Sequence, residues 1–388
     1  MEPRAHIIRL YPTQDQEKQL KNTIGCARYA YNWALEKWRE MYAAHDKDKA
    51  SPKPSALKLT KLWTQEKPEW ASETAYCSQQ RAIHNVGVAY QRLRRGLSAK
   101  PKFHKKGGKE TFYVDNAKVA WYDNRIQLPD IGRVRVAEQI RFEGKVMGYT
   151  VSHYAGQWHL IAQVNAEGDV KPYCANPESV VGIDVGLLNP AVASDGTILQ
   201  LPKETLAKLD AKLRRQQKAL SRSQRNSRNH AKLLFKKQRT QNKINNIRKD
   251  AVHKFTTAIA KSHGKVVIED LDIQGMKDKA PSRAVRRAHN SSLMGAIRWQ
   301  LSYKVQHLIK VNRFFPSSKT CSNCGHIKGD LDLSERTYHC DHCGAVIDRD
   351  LNAAINLMKS GLVKPDASVE QVGTDLRRSR KYKRTQRP

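Results

Sequence analysis

The chain has 388 residues, too many for one ordinary hydrophobic core, so two or three domains are expected. Lys and Arg number 70 against 37 Asp and Glu, a formal charge of +33 that would repel itself in a compact fold unless a polyanion neutralised it, which makes nucleic acid the expected partner. No apolar run approaches the roughly 18 residues of a spanning helix, and MEPRAHIIRLYP lacks an apolar signal core, which argues against a membrane protein and for a cytoplasmic one.

In chain order, His6–Tyr11 reads as a strand that stops at Pro12, and Thr13 with Gln16 forms a capping box that opens a helix. Leu20, Ile24, Ala27, Tyr31, Leu35 and Trp38 recur at helical spacing, and a second helical block runs from Ser72 to about Leu97. This block stands as an insertion between the first strand and a sheet. After the basic loop KPKFHKKGGKE come short alternating runs, 111–115, 125–128, 133–136, 146–153 and 158–164, which predict an antiparallel barrel or curled sheet. Phe112, Tyr113, Trp121, Tyr122 and Trp158 read first as sheet packing and second as base-stacking groups.

Asn176-Pro177 marks a boundary, and SVVGIDVG (179–186) is a buried strand that alternates Val181, Ile183 and Val185 with Gly182, Asp184 and Gly186. Tight turns at Asn189-Pro190 and Asp195-Gly196 predict two more short strands, the last over 197–199. Residues 202–263 form a long helical region broken near 221–226, and its one-sided Lys and Arg suit phosphate contacts. KVVIEDL (265–271) is the fourth strand of this region. Residues 277–289 are basic and unpatterned, 290–292 cap a helix carrying Ile297, Leu301, Val305 and Leu308, and 311–315 is a final strand. A last helix carries Leu351, Ala354, Ile355 and Met358 and ends at Gly361.

Two Cys-x-x-Cys pairs, Cys321/Cys324 and Cys340/Cys343, stand fifteen residues apart, within the window in which four thiolates close on one tetrahedral Zn²⁺. Such a site has no open position, so one structural zinc is expected. Cys26, Cys77 and Cys174 are isolated apolar packers.

Hairpin strands, a helical excursion, a strand, a helix, a strand and a terminal helix follow the order of a ribonuclease H-like sheet with a zinc module inserted late. On that sheet Asp184, Glu269 and Asp350 would converge. Two unit charges ~4 Å apart repel by ~4 kcal/mol at an effective dielectric of ~20, so three carboxylates need a retained proton or a divalent cation. Oxygen-only ligands favour Mg²⁺ or Mn²⁺, and two such ions can drive phosphodiester hydrolysis. Each acid also has a plain alternative: Asp350 as the cap of its helix, Glu269 as a solvated strand end, Asp184 as a partnered core polar group. An actin-like ATPase would need a second glycine-rich phosphate loop, which the sequence lacks, and a guide-free junction resolvase or a non-cleaving zinc-ribbon binder is the remaining competitor.

GIDVGLLNPAVASDG, VIEDL, FFPSSKTC, CSNCG…CDHCG and DRDLNAAINL, with IIRLYPTQDQEKQL, ARYAYNWAL and KPKFHKK, resemble the TnpB proteins of IS200/IS605-type and IS607-type transposons, relatives of type V CRISPR effectors. The resemblance implies an α+β multidomain chain: a wedge-like β-barrel over 1–12 and 100–176, a helical recognition lobe over 13–99, a RuvC nuclease domain over 177–316 and 345–362, a zinc ribbon over 317–344 and a basic tail over 363–388. It implies an RNA-guided DNA endonuclease, a monomeric ribonucleoprotein with a transposon-derived guide RNA and a double-stranded DNA target beside a short adjacent motif. It places the Mg²⁺-binding catalytic carboxylates on Asp184, Glu269 and Asp350, with Asp348 as the lesser candidate for the third, and the zinc ligands on Cys321, Cys324, Cys340 and Cys343.

Overall fold

The computed structural model describes residues 2–363, apart from 108–109, 168–170, 172 and 333; the expected basic tail lies, beyond Val363, outside the described residues. The chain divides into two compact units between residues 170 and 171.

In the first unit a strand, β1 (Glu2–Tyr11), leads into three helices, α1 (Gln14–Lys47), α2 (Ala56–Glu66) and α3 (Tyr76–Arg94). The Thr13/Gln16 capping box starts α1, satisfying two of the free N–H groups of its first turn. Six strands follow: β2 (Glu110–Val114), β3 (Ala120–Tyr122), β4 (Arg125–Leu128), β5 (Gly132–Val136), β6 (Gly144–Tyr154) and β7 (Gln157–Ala166). They and β1 form one sheet in the order β2-β6-β7-β1-β5-β4-β3. No ladder joins β3 to β2 among the described residues. The sheet nevertheless curls until Trp121 Nε1 on β3 donates to Tyr149 Oη on β6 at 2.9 Å. Helices and sheet share one core, from Ile8 and Leu10 through Leu20, Leu35 and Trp63 to Leu160. The inserted helices are therefore a wall of the sheet's own core. Phe112 and Trp158 are buried in that unit, so their packing reading holds, while Arg81 and Arg133 cover the Tyr113 and Tyr122 rings at 4.1 and 4.0 Å.

The second unit is built on β8 (Val180–Asp184), β9 (Val192–Ala193), β10 (Lys265–Glu269) and β11 (His307–Val311), in the order β11-β10-β8-β9, with β8, β10 and β11 parallel. Helices α4 (Lys203–Arg222) and α5 (Arg228–Ser262) make the expected hairpin, sealed by Leu206, Leu213 and Ile244. Then come α6 (Ile273–Asp278), α7 (Arg283–Ser291), α8 (Met294–Lys304), the ribbon strands β12 (Thr337–His339) and β13 (Val346–Asp348), and α9 (Arg349–Val363). Val181, Ile183, Val266 and Ile268 fill one face of the sheet against Val252, Phe255 and Ile259 of α5 and Ile297 and Leu301 of α8. The other face receives α9.

Four expectations are corrected. The strand over 197–199 is a single bridge, Val192 to Ile198, because the Asp195-Gly196 turn leaves too few residues to build a ladder. Residues 277–289 are largely helical; Ser282 Oγ accepts the Val285 N–H at 3.2 Å and caps α7. The helix carrying Ile297 stops at Lys304, and Leu308 belongs to β11, because parallel pairing with β10 claims residues 307–311. That strand consequently ends at Val311, where 311–315 was expected to begin it.

Candidate active site

Parallel pairing aligns Gly182 with Val267 and Ile183 with Ile268. Continuing the register sets Asp184 beside Glu269, across one strand spacing of ~4.8 Å. Alternation puts Gly182, Asp184, Val267 and Glu269 on the α9 face. Helix α9 lies against that face so closely that a Cβ on Gly182 would overlap Ala354 O and the Met358 nitrogen, and one on Gly361 would overlap the Val267 side chain. Glycine at 182 is a packing requirement. Asp184 lies two residues (~6.6 Å) along the strand from this crossing, and Asp350 lies one turn (~6 Å) back along the helix from Ala354. The crossing thus brings Asp350 to the same end of the sheet.

Asp184 feels the charges of the other two acids. Asp184 is pushed up to about 7, first by burial, then by the negative charges of Glu269 and Asp350, against the opposing pull of Arg349 and the Val185 backbone N–H. Glu269 is also raised by burial, opposed by a hydrogen bond from Ser317. Ser317 Oγ donates to Glu269 Oε1 at 2.5 Å, and Asn189 Nδ2 donates to Asp350 Oδ2 at 2.8 Å. Each outer carboxylate thus has one oxygen held by a neutral donor. Asp348, the lesser candidate, is the helix cap: its Oδ1 accepts the Asp350 and Leu351 N–H groups, both at 3.0 Å. That relieves Asp350 of capping duty and leaves it at the positive end of the α9 dipole. Asp270 is held by Arg298 Nη2 at 2.6 Å, facing away from this duty.

The four cysteines of the ribbon have all their sulfurs within 4.8 Å of one another. Cys321–Cys343 and Cys324–Cys340 are each 3.6 Å apart, close to the ~3.8 Å edge of a tetrahedron with ~2.3 Å Zn–S bonds. Gly325 (φ +78°) and Gly344 (φ +71°) follow the second cysteine of each pair in the left-handed region, turning the chain so that the Gly325 and Gly344 N–H groups bond back to the Cys321 and Cys340 carbonyls at 2.9 and 3.0 Å. The Ala345 N–H is the main cause pulling Cys343 down to about 6. Cys324, despite the His326 N–H, is pushed up to about 12 by desolvation and by donating to the other sulfurs. The donor set fits zinc.

The ribbon is tied to α9 by two buried asparagines. Asn352 Nδ2 donates to Thr320 O at 2.7 Å while its Oδ1 accepts the Ser322 N–H at 2.8 Å, and Asn356 Nδ2 donates to Ser317 O at 2.8 Å and Thr320 O at 2.6 Å. Of the expected apolar stripe only Ala354 is buried; Asn352, Ala353, Asn356 and Leu357 are the other buried positions, because α9 is packed between sheet and ribbon. Sequence reasoning did not single out Ser317, Asn189, Asn352 or Asn356 as site residues. The available signals were two asparagines four apart on a helix and a serine four residues before the first cysteine.

A family model described as "Probable transposase" (OrfB of IS605) matches residues 163–280, a Cas12f1-like TNB domain matches 293–357, and a helix-turn-helix domain of the same OrfB family matches 1–47. "Putative RNA-guided DNA endonuclease InsQ" of Escherichia coli (strain K12) is 30% identical over 374 residues, covering 92% of both chains. The chain belongs to the OrfB/TnpB family. A Streptomyces pristinaespiralis member, "Putative RNA-guided DNA endonuclease", is 30% identical over 392 residues, covering 99% of this chain and 94% of its own. The Cas12f1 chain solved by cryo-EM with sgRNA and target DNA shares the fold: TM-score 0.51 at 14% identity, over 92% of this chain and 98% of that one. No described helix is long and apolar enough to cross a membrane.

Proposed function

We propose that this TnpB-family chain is an RNA-guided DNA endonuclease whose cutting centre is Asp184, Glu269 and Asp350. Its guide RNA would pair with a DNA strand beside a short adjacent motif, leaving sequence to base pairing while basic surfaces grip A-form backbone. The observation that carries the reading is the gathering of three acids at one end of the sheet by the β8/β10 register and the α9 crossing, where burial and two acidic neighbours push Asp184 up to about 7. Near neutral pH such a cluster keeps a proton or takes a cation, and its all-oxygen donors suit Mg²⁺ or Mn²⁺. Bound there, divalent ions would activate the attacking water and neutralise charge on the phosphodiester oxygens. Glu269 and Asp350 are aimed by Ser317 and Asn189, and Asp184, seated on the central strand between them, completes the set. The four cysteines would hold one structural Zn²⁺ that fixes the ribbon on which Ser317 and the start of α9 depend.

The chain, purified with the RNA that accompanies it, should cut a duplex matching that RNA in Mg²⁺. Asp184→Ala should lower cutting at least ~100-fold while leaving guide and target binding within about twofold. Unchanged cutting by Asp184→Ala would remove these acids from the chemistry. Absence of any cutting by the parent chain, with guided binding intact, would make it a guided binder instead.

A further inference from the structure

The loop that grips Glu269 presents a side chain that the carboxylates themselves do not need. It leaves β11 at Val311, and Asn312 turns it twice: Asn312 Oδ1 accepts the Phe314 N–H and Asn312 O accepts the Phe315 N–H, both at 3.0 Å. Phe315 packs toward Val267, Val311 and Leu357. Phe314 points the other way and is 85% exposed, the most exposed large apolar side chain among the described residues. Single exposed apolar residues are ordinary on protein surfaces. This one differs in its mounting. The Ser317 N–H bonds to Phe315 O at 2.8 Å, Ser317 Oγ to Glu269, and Asn356 to Ser317 O, so the loop is pinned three residues, at most ~10 Å of chain, from the phenyl ring. The loop after β8 repeats the arrangement: Leu188, 63% exposed, immediately precedes Asn189, which holds Asp350.

A flat apolar ring held rigidly beside an anion-cutting centre fits one occupant, the face of an unpaired nucleobase. A duplex would offer the ring only sugar and phosphate edges, whereas a single strand offers a π-face at every base. Charge agrees, since exposed Arg313 precedes Phe314 in the chain, 3.8 Å from Asp272, and exposed Lys319, whose ammonium donates to Gly329 O at 2.7 Å, lies five residues on. We propose that Phe314 is a stacking platform for an unpaired base of the strand being cut, and that it sets which phosphodiester lies over Asp184, Glu269 and Asp350. Phe314 is a positioning residue, and the proposal rests on the nuclease reading above.

The test uses the full chain with its copurified guide RNA and target strands carrying one 2-aminopurine, moved base by base along the unpaired stretch. In the Asp184→Asn background, stacking on Phe314 should change the fluorescence at one position, and Phe314→Ala should abolish that change. With the acids intact, Phe314→Ala should raise KM about 10-fold with kcat little altered and scatter the cut positions, and Phe314→Trp should restore both. The ring is exposed, so melting of the variants should match the parent. A Phe314→Ala chain with parental fluorescence, KM and cut positions overturns the platform. Asp184→Ala separates that failure from failure of the underlying reading: if it too cuts normally, the nuclease centre itself is misplaced; if it is dead, only the platform falls.

Discussion

The second unit contains a cysteine cluster and a set of three acids that are assembled in opposite ways. The four cysteines come from two tight local turns within 23 residues of chain, and their sulfurs all lie within 4.8 Å of one another. The three acids come from β8, β10 and α9, up to 166 residues apart, and share one end of a sheet only because a parallel register and a helix crossing put them there. Four soft ligands on one metal make a fold element, whereas three hard ligands on a metal would leave positions open to substrate oxygens. The two are also wired in series. Asn352 and Asn356 hang the ribbon on α9, and Ser317, at the ribbon's entry, holds Glu269. The closed cluster is therefore the splint of the open one.

That relation can be broken from either side. Cys321→Ser, or removal of zinc with a chelator, should have the largest effect. Zinc binding of ~10–16 kcal/mol would no longer fold the ribbon, so cutting should disappear although no acid has changed, with a separate loss of order over 317–348 in hydrogen exchange. Survival of full activity would show the ribbon to be a bystander. Ser317→Ala should cost about 10–100-fold in cutting, the usual cost of losing such a support. With its donor gone, the raised Glu269 should rise further, moving the onset of activity in a pH–rate profile to higher pH. A drop in rate with an unmoved profile would assign Ser317 to packing alone.

Gly182→Ala tests the crossing that gathers the acids. Its Cβ meets backbone atoms of α9, which cannot swing aside, so ~1–3 kcal/mol of stability, about 3–10 °C in melting temperature, should be lost along with activity. A neutral outcome would mean that α9 does not sit on β8 as described. The smallest effect belongs to Asp184→Asn without divalent ions. The folded carboxyl titrates at about 7 against an ordinary 3.8, so the folded chain holds more protons between these values and loses stability as pH rises through that window. The substitution should therefore raise the melting temperature by a few degrees at pH 8 and change it little at pH 4.

What could be read beforehand followed the range of the interactions. The Cys-x-x-Cys spacing is a local geometric statement, and it led directly to the cage. Asp184 was legible because a mid-strand carboxylate between Gly182 and Gly186 demands a partner. The residues alone left Asp350 open as the cap of its helix; the resemblance preferred it to Asp348 as the third acid, and the hydrogen bonds give the capping to Asp348. Ser317, Asn189, Asn352 and Asn356 were silent, because a polar side chain bonded to another segment's backbone or carboxylate leaves no periodic trace. The same blindness explains the buried face of α9: the pattern Leu351, Ala354, Ile355, Met358 describes a helix with one partner, and this helix has two. The short helix α7 was missed although Ser282 was available as its cap, since its basic composition outweighed that one signal.

The central claim is that Asp184, Glu269 and Asp350 hold divalent cations in common. Electron paramagnetic resonance of Mn²⁺ titrated into the full, guide-loaded chain at pH 7.5, parent against Asp184→Asn, tests it most directly. The account predicts tight Mn²⁺ binding by the parent that is lost or sharply weakened in Asp184→Asn, together with loss of DNA cutting. Equal Mn²⁺ binding and equal cutting by the two chains would contradict it.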